Sequence, residues 1–254
     1  MLLAIDVGNT NTVLGLYEGR ELVHNFRIQS ERGRTEDETH VLLATLLHVV
    51  GIETDDVDCS ILASVVPPLT DRIIRAVRRA FGHDPIVVGP GIKTGMPILY
   101  ENPKEVGADR IVNAIAAYER VRGGVIVVDF GTSTNFDCVS NRGEFLGGVI
   151  APGISLSAEA LFARAARLPK TEIAKPPQVL GRNTVQSMQS GLVFGCACMV
   201  DGMVERLQAE MGYPCAVLAT GGEARLIESE SKAIQEVDEH LTLDGLRILY
   251  ERQK

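Results

Sequence analysis

The run Leu2-Leu3-Ala4-Ile5-Asp6-Val7-Gly8-Asn9-Thr10-Asn11-Thr12-Val13-Leu14-Gly15-Leu16-Tyr17 decides the fold. An apolar stretch, a turn rich in Asp, Gly, Asn and Thr, and a second apolar stretch predict strand, tight polar turn and strand. A Glu18-Gly19-Arg20 turn then leads into a third, alternating strand over 22–28. The same order returns 123 positions later. There Val125-Ile126-Val127-Val128, Asp129-Phe130-Gly131-Thr132-Ser133-Thr134-Asn135 and Phe136-Asp137-Cys138-Val139 precede a Ser140-Asn141-Arg142-Gly143 turn and a strand over 144–150. A near-repeat of about half the chain predicts a duplicated α/β domain, each copy led by three strands, with a cleft between the copies. The division falls between 1–122 and 123–254.

Helical patterns fill the rest of each half. Thr35-x-x-Glu38 is a capping box ahead of Leu42, Leu43, Leu46, Leu47 and Val50. Over 71–81, Ile73, Ile74, Val77 and Phe81 share one face, and Arg72, Arg75, Arg78 and Arg79 the other, which reads as a solvated face rather than a binding patch. Further amphipathic helices are expected over 109–122 and 155–168, and the longest over 184–211. Gly191, Gly195 and Gly202 in that last helix cost about 1 kcal/mol each relative to Ala. Close packing must gain from the missing side chains, against a helix of this chain or across a dimer. Loops at 84–103 and 169–183, rich in Pro, Gly and Lys, are long enough to shape a pocket.

The 254 residues carry 33 Asp and Glu against 25 Lys and Arg, a formal charge of −8. That balance disfavours a nucleic-acid binder or a basic membrane-surface protein. An apolar share of 45% with 23% charged residues fits a folded chain. The N-terminal apolar run stops at Asp6, with no basic region before it and no cleavage site, so no signal peptide is predicted. The longest apolar stretch, 191–200, is about ten positions where a membrane helix needs ~20. A soluble, cytoplasmic protein is expected. The cysteines Cys59, Cys138, Cys196, Cys198 and Cys215 contain no C-x-x-C pair and read as reduced core thiols rather than a zinc site.

The two Asp-x-Gly turns have chemical content. Gly8 and Gly131 let the backbone approach a ligand, and Asn9, Thr10, Asn11 and Thr12, with Thr132, Ser133 and Thr134, add short donors, so both turns suit phosphate oxygens. Asp6 and Asp129 end apolar strands, where a cation travelling with phosphates is a natural partner. A third turn, Ala219-Thr220-Gly221-Gly222, could back onto an adenine or ribose. Gly91-Ile92-Lys93-Thr94 is not a Walker loop, and G-x-G-x-x-G, H-E-x-x-H and G-x-S-x-G signatures are missing. Glu105-Val106-Gly107-Ala108-Asp109-Arg110 precedes an amphipathic helix and puts Asp109 where an N-cap would sit. Capping and catalysis are both open readings there; in the second, Asp109 takes the proton of an attacking hydroxyl while Arg110 or helix N–H groups hold an anionic substrate.

In this order, Asp6-x-Gly-Asn-Thr-Asn, Gly107-Ala-Asp-Arg, Asp129-Phe-Gly-Thr, Gly147-Gly-Val-Ile-Ala-Pro-Gly153 and Thr220-Gly-Gly222 resemble the type III pantothenate kinases. The closing stretch 237–252 is similar to that family's C-terminus, so the resemblance spans essentially the whole chain. It implies duplicated actin-like (ribonuclease H-like) domains with a central nucleotide cleft, as in acetate kinases, sugar kinases and heat-shock chaperone ATPases. It also implies ATP-dependent phosphorylation of pantothenate to 4′-phosphopantothenate, the first step of coenzyme A synthesis. By matching position, Asp6, Val7, Gly8, Asn9, Thr10, Asn11, Thr12 and Val13 would bind ATP phosphates, with Thr132 as a further nucleotide contact. Asp109 would be the catalytic base, and Tyr100, Gly107, Ala108, Asp109, Arg110 and Thr184 would line the pantothenate pocket. Asp129 would hold a monovalent cation, potassium or ammonium, alongside Mg²⁺ carried with ATP. A homodimer is implied, with the glycine-bearing helix near the partner. Ser133 and Asn135 depart from the family's commoner Ala and Thr, and Glu223 is less apolar than the adenine side of such a cleft suggests.

Two alternatives stand beside this reading. One is a kinase for another small hydroxylated acid or sugar, or a polyphosphate phosphatase, which the short chain and the Gly107–Arg110 motif oppose. The other is a non-catalytic nucleotide-binding regulator, opposed by intact Asp6, Asp109, Arg110 and Asp129; the negative net charge also opposes direct DNA contact.

Overall fold

Strand β1, Leu2–Val7, is buried at every position but Asp6, and strand β6, Val125–Phe130, is buried at every position but Asp129. Unbroken apolar runs of this kind belong to central strands covered on both faces. Around β1 lie β2 (Asn11–Glu18), β3 (Glu21–Gln29), β4 (Cys59–Ser64) and β5 (Ile86–Val87), in the order β3-β2-β1-β4-β5. Around β6 lie β7 (Ser133–Val139), β8 (Phe145–Pro152), β9 (Ala216–Gly221) and β10 (Glu236–Val237), in the order β8-β7-β6-β9-β10. The two sheets match strand for strand, antiparallel on the hairpin side and parallel on the other. The duplication expected from the repeat is therefore present in the topology.

One detail departs from the repeat. Asp6 pairs with Val13, whereas Asp129 pairs with Asn135. Gly8, Asn9 and Thr10 link the first hairpin, and Gly131 and Thr132 alone link the second. The second turn is one residue shorter, so Ser133 and Thr134, read above as turn residues, are strand residues, and Thr134 is fully buried.

The structure, a computed structural model, describes residues 1–165 and 168–254. Helix α1, Glu36–Val49, starts at the expected capping box: Glu38 N donates to Thr35 Oγ1 (3.2 Å), and Thr35 N donates to the Glu38 carboxylate (2.7 Å). With α2 (Pro67–Phe81) it supplies Leu43, Leu47, Leu69, Ile73 and Val77 to a core shared with Leu3, Ile5 and Leu16. The arginines of α2 do more than face water: Arg75, Arg78 and Arg79 pair with Glu36, Asp84 and Asp37 while staying half exposed. Pairs of that exposure contribute ~0–1 kcal/mol each. Helix α3 (Ala108–Val121) and the C-terminal α7 (Leu241–Glu251) meet where Gly245, lacking a Cβ, lies against the Val112 carbonyl. Tyr17 Oη donates to Asp244 at 2.9 Å, and Leu243 fills the space left by Gly15.

By its contacts the chain forms two units, 1–95 with 101–116 and 242–254, and 96–100 with 117–241. Thus α7, which follows the second sheet in sequence, builds the first unit. In the second, α4 (Ile154–Arg164), α5 (Thr184–Met211) and α6 (Ala224–Glu228) pack on the sheet through Ile154, Leu192, Val193, Val200 and Ile227. Helix α4 ends before the expected 168; positions 166 and 167 of that expectation lie outside the described residues. Helix α5 has the expected bounds. By length and composition alone it could cross a membrane, yet one side of it forms the covering of the second sheet. No heavy atom lies within 4 Å of where Cβ atoms would stand on Gly191, Gly195 and Gly202, so packing within the chain does not explain them among the described residues. Cys198 is exposed on the same side, while Cys196 faces the core, which corrects the reading of all five thiols as core residues. Burial pushes the Cys196 thiol up to about 11.

Candidate active site

In the first unit the hairpin after β1 is closed by Gly8 N donating to Asn11 O at 3.0 Å. A Cβ on Gly8 would stand 3.0 Å from that same oxygen, tighter than side chains tolerate without movement. Asn9 and Thr10 form the exposed tip, and Thr12 is buried with its Oγ1 2.8 Å from Ser30 Oγ. Ser30 N also donates to Thr10 O at 2.9 Å. The turn is thereby strapped by the segment that follows β3, and Arg32 of that segment reaches Asn9 Oδ1 at 3.4 Å.

The Gly107–Arg110 motif is brought to the same end of β1 by Val65. Val65 N donates to Val7 O at 3.1 Å, and its side chain lies 3.7 Å from the Cβ position of Gly107. Gly107 O accepts from Ile111 N at 3.2 Å, so Gly107 holds the cap position and Asp109 lies in the first turn. The N-cap expectation for Asp109 is corrected on this point. The reason is steric: Asp109 Oδ1 folds back over Gly107, into space that a Cβ would occupy, and accepts from Arg110 N at 2.8 Å. Burial raises the Asp109 carboxyl above the ordinary carboxylate value, outweighing the Arg110 N–H and the Arg110 charge, which pull it down. Arg110 is itself buried, at 7% exposure.

In the second unit three glycine turns, far apart in sequence, gather at the end of β6. Gly131 N donates to Ser133 O (3.0 Å), Gly153 N at the start of α4 donates to Thr132 O (3.2 Å), and Gly222 N donates to Phe130 O (3.1 Å). Gly153 and Gly221 both lie against main-chain carbonyls with no room for a Cβ, and Gly221 has φ 96°, a left-handed conformation that favours glycine. Asp129 stands beside them, between Asn135 and Thr220. The two departures from the family pattern are satisfied locally. Asn135 accepts from Ser133 Oγ at 3.0 Å, and Glu223 accepts from Ser155 Oγ at 2.9 Å.

Tyr100 and Thr184 also belong to this unit but sit on separate elements. Tyr100 follows a segment bridged to β8, with Leu99 N donating to Phe145 O at 2.8 Å, and its ring rests on Phe145 and Gly147. Thr184 is the exposed first residue of α5, after the N-cap Asn183, which accepts from Gln186 N at 2.9 Å. Among the described residues no hydrogen bond joins the two, and no group of three or more Asp, Glu, His or Cys side chains is gathered as a metal cage. Val65, Ser30 and Ser155 take part in positioning yet carry no local sequence signal, because what they supply is a backbone amide, a hydroxyl and a place in the tertiary fold.

Comparison with known proteins agrees with these features. The sequence model of the type III pantothenate kinase family matches residues 2–206. A type III pantothenate kinase of Myxococcus xanthus (strain DK1622) is 58% identical over 252 residues, covering 99% of this chain and 98% of that protein. Among solved structures, a protein assigned to the Baf family of transcriptional activators from Campylobacter jejuni superposes with a TM-score of 0.61 at 17% identity, over 99% and 98% of the two chains. An inorganic polyphosphate/ATP-glucomannokinase of Arthrobacter sp. strain KM does so with a TM-score of 0.54 at 12% identity, over 100% and 99%. Those two likenesses speak to the fold alone, a duplicated actin-like architecture. With its family match, its full-length relative and its paired sheets, the chain belongs to the type III pantothenate kinase family.

Proposed function

We propose that the protein transfers the γ-phosphoryl group of ATP to the primary hydroxyl of pantothenate, giving 4′-phosphopantothenate and ADP in the first step of coenzyme A synthesis. Beyond family membership, the observation that carries this reading is the Asp109 carboxyl, part-buried, raised in pKa and set over Gly107 at the end of β1. A base with a raised pKa accepts a proton more readily than an ordinary carboxylate. As the hydroxyl oxygen bonds to the γ-phosphorus, its proton passes to Asp109 and the bond to the ADP oxygen breaks. Arg110 and the N-terminal N–H groups of α3 suit the pantothenate carboxylate. The Asp6–Val13 hairpin offers its turn to the nucleotide phosphates, and Thr132 adds a contact to the nucleotide. Bound with ATP, Mg²⁺ would neutralise charge on the phosphates.

Asp129 we assign to a monovalent cation, potassium or ammonium. With no cage of three or more acids among the described residues, a lone carboxylate at a strand end suits a weakly held monovalent ion better than a resident divalent one. A homodimer is supported by the uncovered side of α5, where Gly191, Gly195 and Cys198 are exposed, and by the exposed Leu156, Leu161, Phe162 and Val185 of the same unit. We place the enzyme in the cytoplasm, and the net charge of −8 argues against a nucleic-acid partner. The test is ADP release from MgATP with pantothenate, in potassium and again in sodium. Turnover that needs both pantothenate and potassium is the expected result; a folded, ATP-binding protein with no turnover in either salt would refute the substrate assignment.

A further inference from the structure

Residues 30–34 run from the end of β3 past the phosphate hairpin and are tied down along their length. Ser30 is bonded to Thr10 O and Thr12 Oγ1. From the other side, Arg72 of α2 donates to the carbonyls of Arg32 (2.6 Å) and Arg34 (3.0 Å). Arg34 turns back to Gln29 O and to Glu31, both at 3.3 Å. These bonds fix the backbone and leave the Arg32 guanidinium exposed at the hairpin tip, with the Asn9 side-chain oxygen, at 3.4 Å, as its hydrogen-bond partner. The nearby Arg34, Arg75, Arg78 and Arg79 each face a carboxylate, whereas Arg32 has no ion pair among the described residues. A permanently charged fork on a tethered backbone, beside a turn built for anions and lacking an acid of its own, is arranged to receive one.

We infer that Arg32, which lies outside the Asp6–Val13 hairpin, binds the phosphate chain of the nucleotide. This rests on the kinase reading above and adds a second cation to it: Arg110 is buried at the start of α3, while Arg32 waits at the exposed tip of the turn. Its guanidinium replaces the long contact to Asn9 with charge-assisted bonds to phosphate oxygens, and Arg72 is the positioning residue that holds its backbone.

The experiment measures MgATP binding by calorimetry on the intact protein and on Arg32→Gln, Arg32→Lys and Arg20→Gln, the last removing an exposed arginine at the far turn between β2 and β3. Arg32→Gln should weaken MgATP binding about tenfold, the scale of one partly screened charge-assisted hydrogen bond, and make it less sensitive to salt. Arg32→Lys should fall between, Arg20→Gln should match the parent, and the KM for pantothenate should stay within about twofold in all of them. Arg32→Gln binding MgATP as tightly as the parent, or an equal loss in Arg20→Gln, overturns the inference. If the parent binds MgATP but leaves pantothenate untouched, the substrate assignment fails while the Arg32 comparison still decides this point. A parent that binds no MgATP overturns both.

Discussion

Gly107→Ala moves the proposed base without removing it. Gly107 is not in the left-handed region, so alanine fits its backbone, but the new Cβ would lie well inside 3.0 Å of Asp109 Oδ1. That oxygen is the far end of a side chain that can swing, so the fold survives and the carboxylate retreats. Retreat to ordinary contact is roughly 1 Å, and a misplacement of that order at a reacting centre lowers turnover by up to ~10²-fold. The retreat also weakens the Arg110 N–H bond to Oδ1, worth about 1 kcal/mol, which for a chain of this size lowers the melting temperature by about 2–4 °C. The assay is ADP release at saturating pantothenate, beside calorimetry of MgATP, since the substitution does not touch the hairpin proposed to hold the nucleotide. Turnover close to the parent's, in a protein folded and binding nucleotide normally, would refute the claim that the carboxylate's seat over Gly107 matters to the reaction.

Asp109→Asn should lower turnover by ~100-fold or more while leaving MgATP binding nearly intact. The same variant tests the raised pKa: the folded state holds this proton more tightly than the unfolded chain, so ionising Asp109 lowers stability as pH rises from the ordinary value of 3.8 through the raised one. The variant should therefore melt above the parent at pH 7, and the two should converge below pH 3.8; a constant gap across that range would contradict the burial argument. Asp129→Ala should abolish activation by potassium, and an unchanged response to potassium against sodium would place the ion elsewhere. Gly195→Leu, on the open side of α5, should leave a folded protein that sediments as a monomer; a variant dimer indistinguishable from the parent would move the interface off that side.

Much of this architecture is legible in the sequence because it is written twice. The matched runs at Leu2 and Val125 give away both central strands, and the capping box and the bounds of α5 follow from local chemistry. What escapes is set by partners distant in sequence. β4 is a short apolar run without a period of its own, made a strand by pairing with β1. The shorter second turn is fixed by which residues pair across the hairpin, which no local pattern states. At the candidate site, Asp6, Gly8, Asp109 and Asp129 stand out in the sequence by residue type and position. The place of Asp109 as the second residue of the helix does not, since it depends on an absent Cβ, and neither does the strap at 30–34, which works largely through main-chain atoms.

The unequal turns have a consequence for how one ancestral half could become two different ones. Adding or deleting a residue inside β2 or β7 would turn every later side chain of that strand to the opposite face and expose its core positions. Changing a tight loop by one residue leaves both faces in place, and the added closure entropy is small. The hairpin tip is thus the position at which these twin frames can be told apart by length without either losing its interior. Divergence of role needs no divergence of scaffold: each sheet is a fixed mount, and the loop it carries is the interchangeable part.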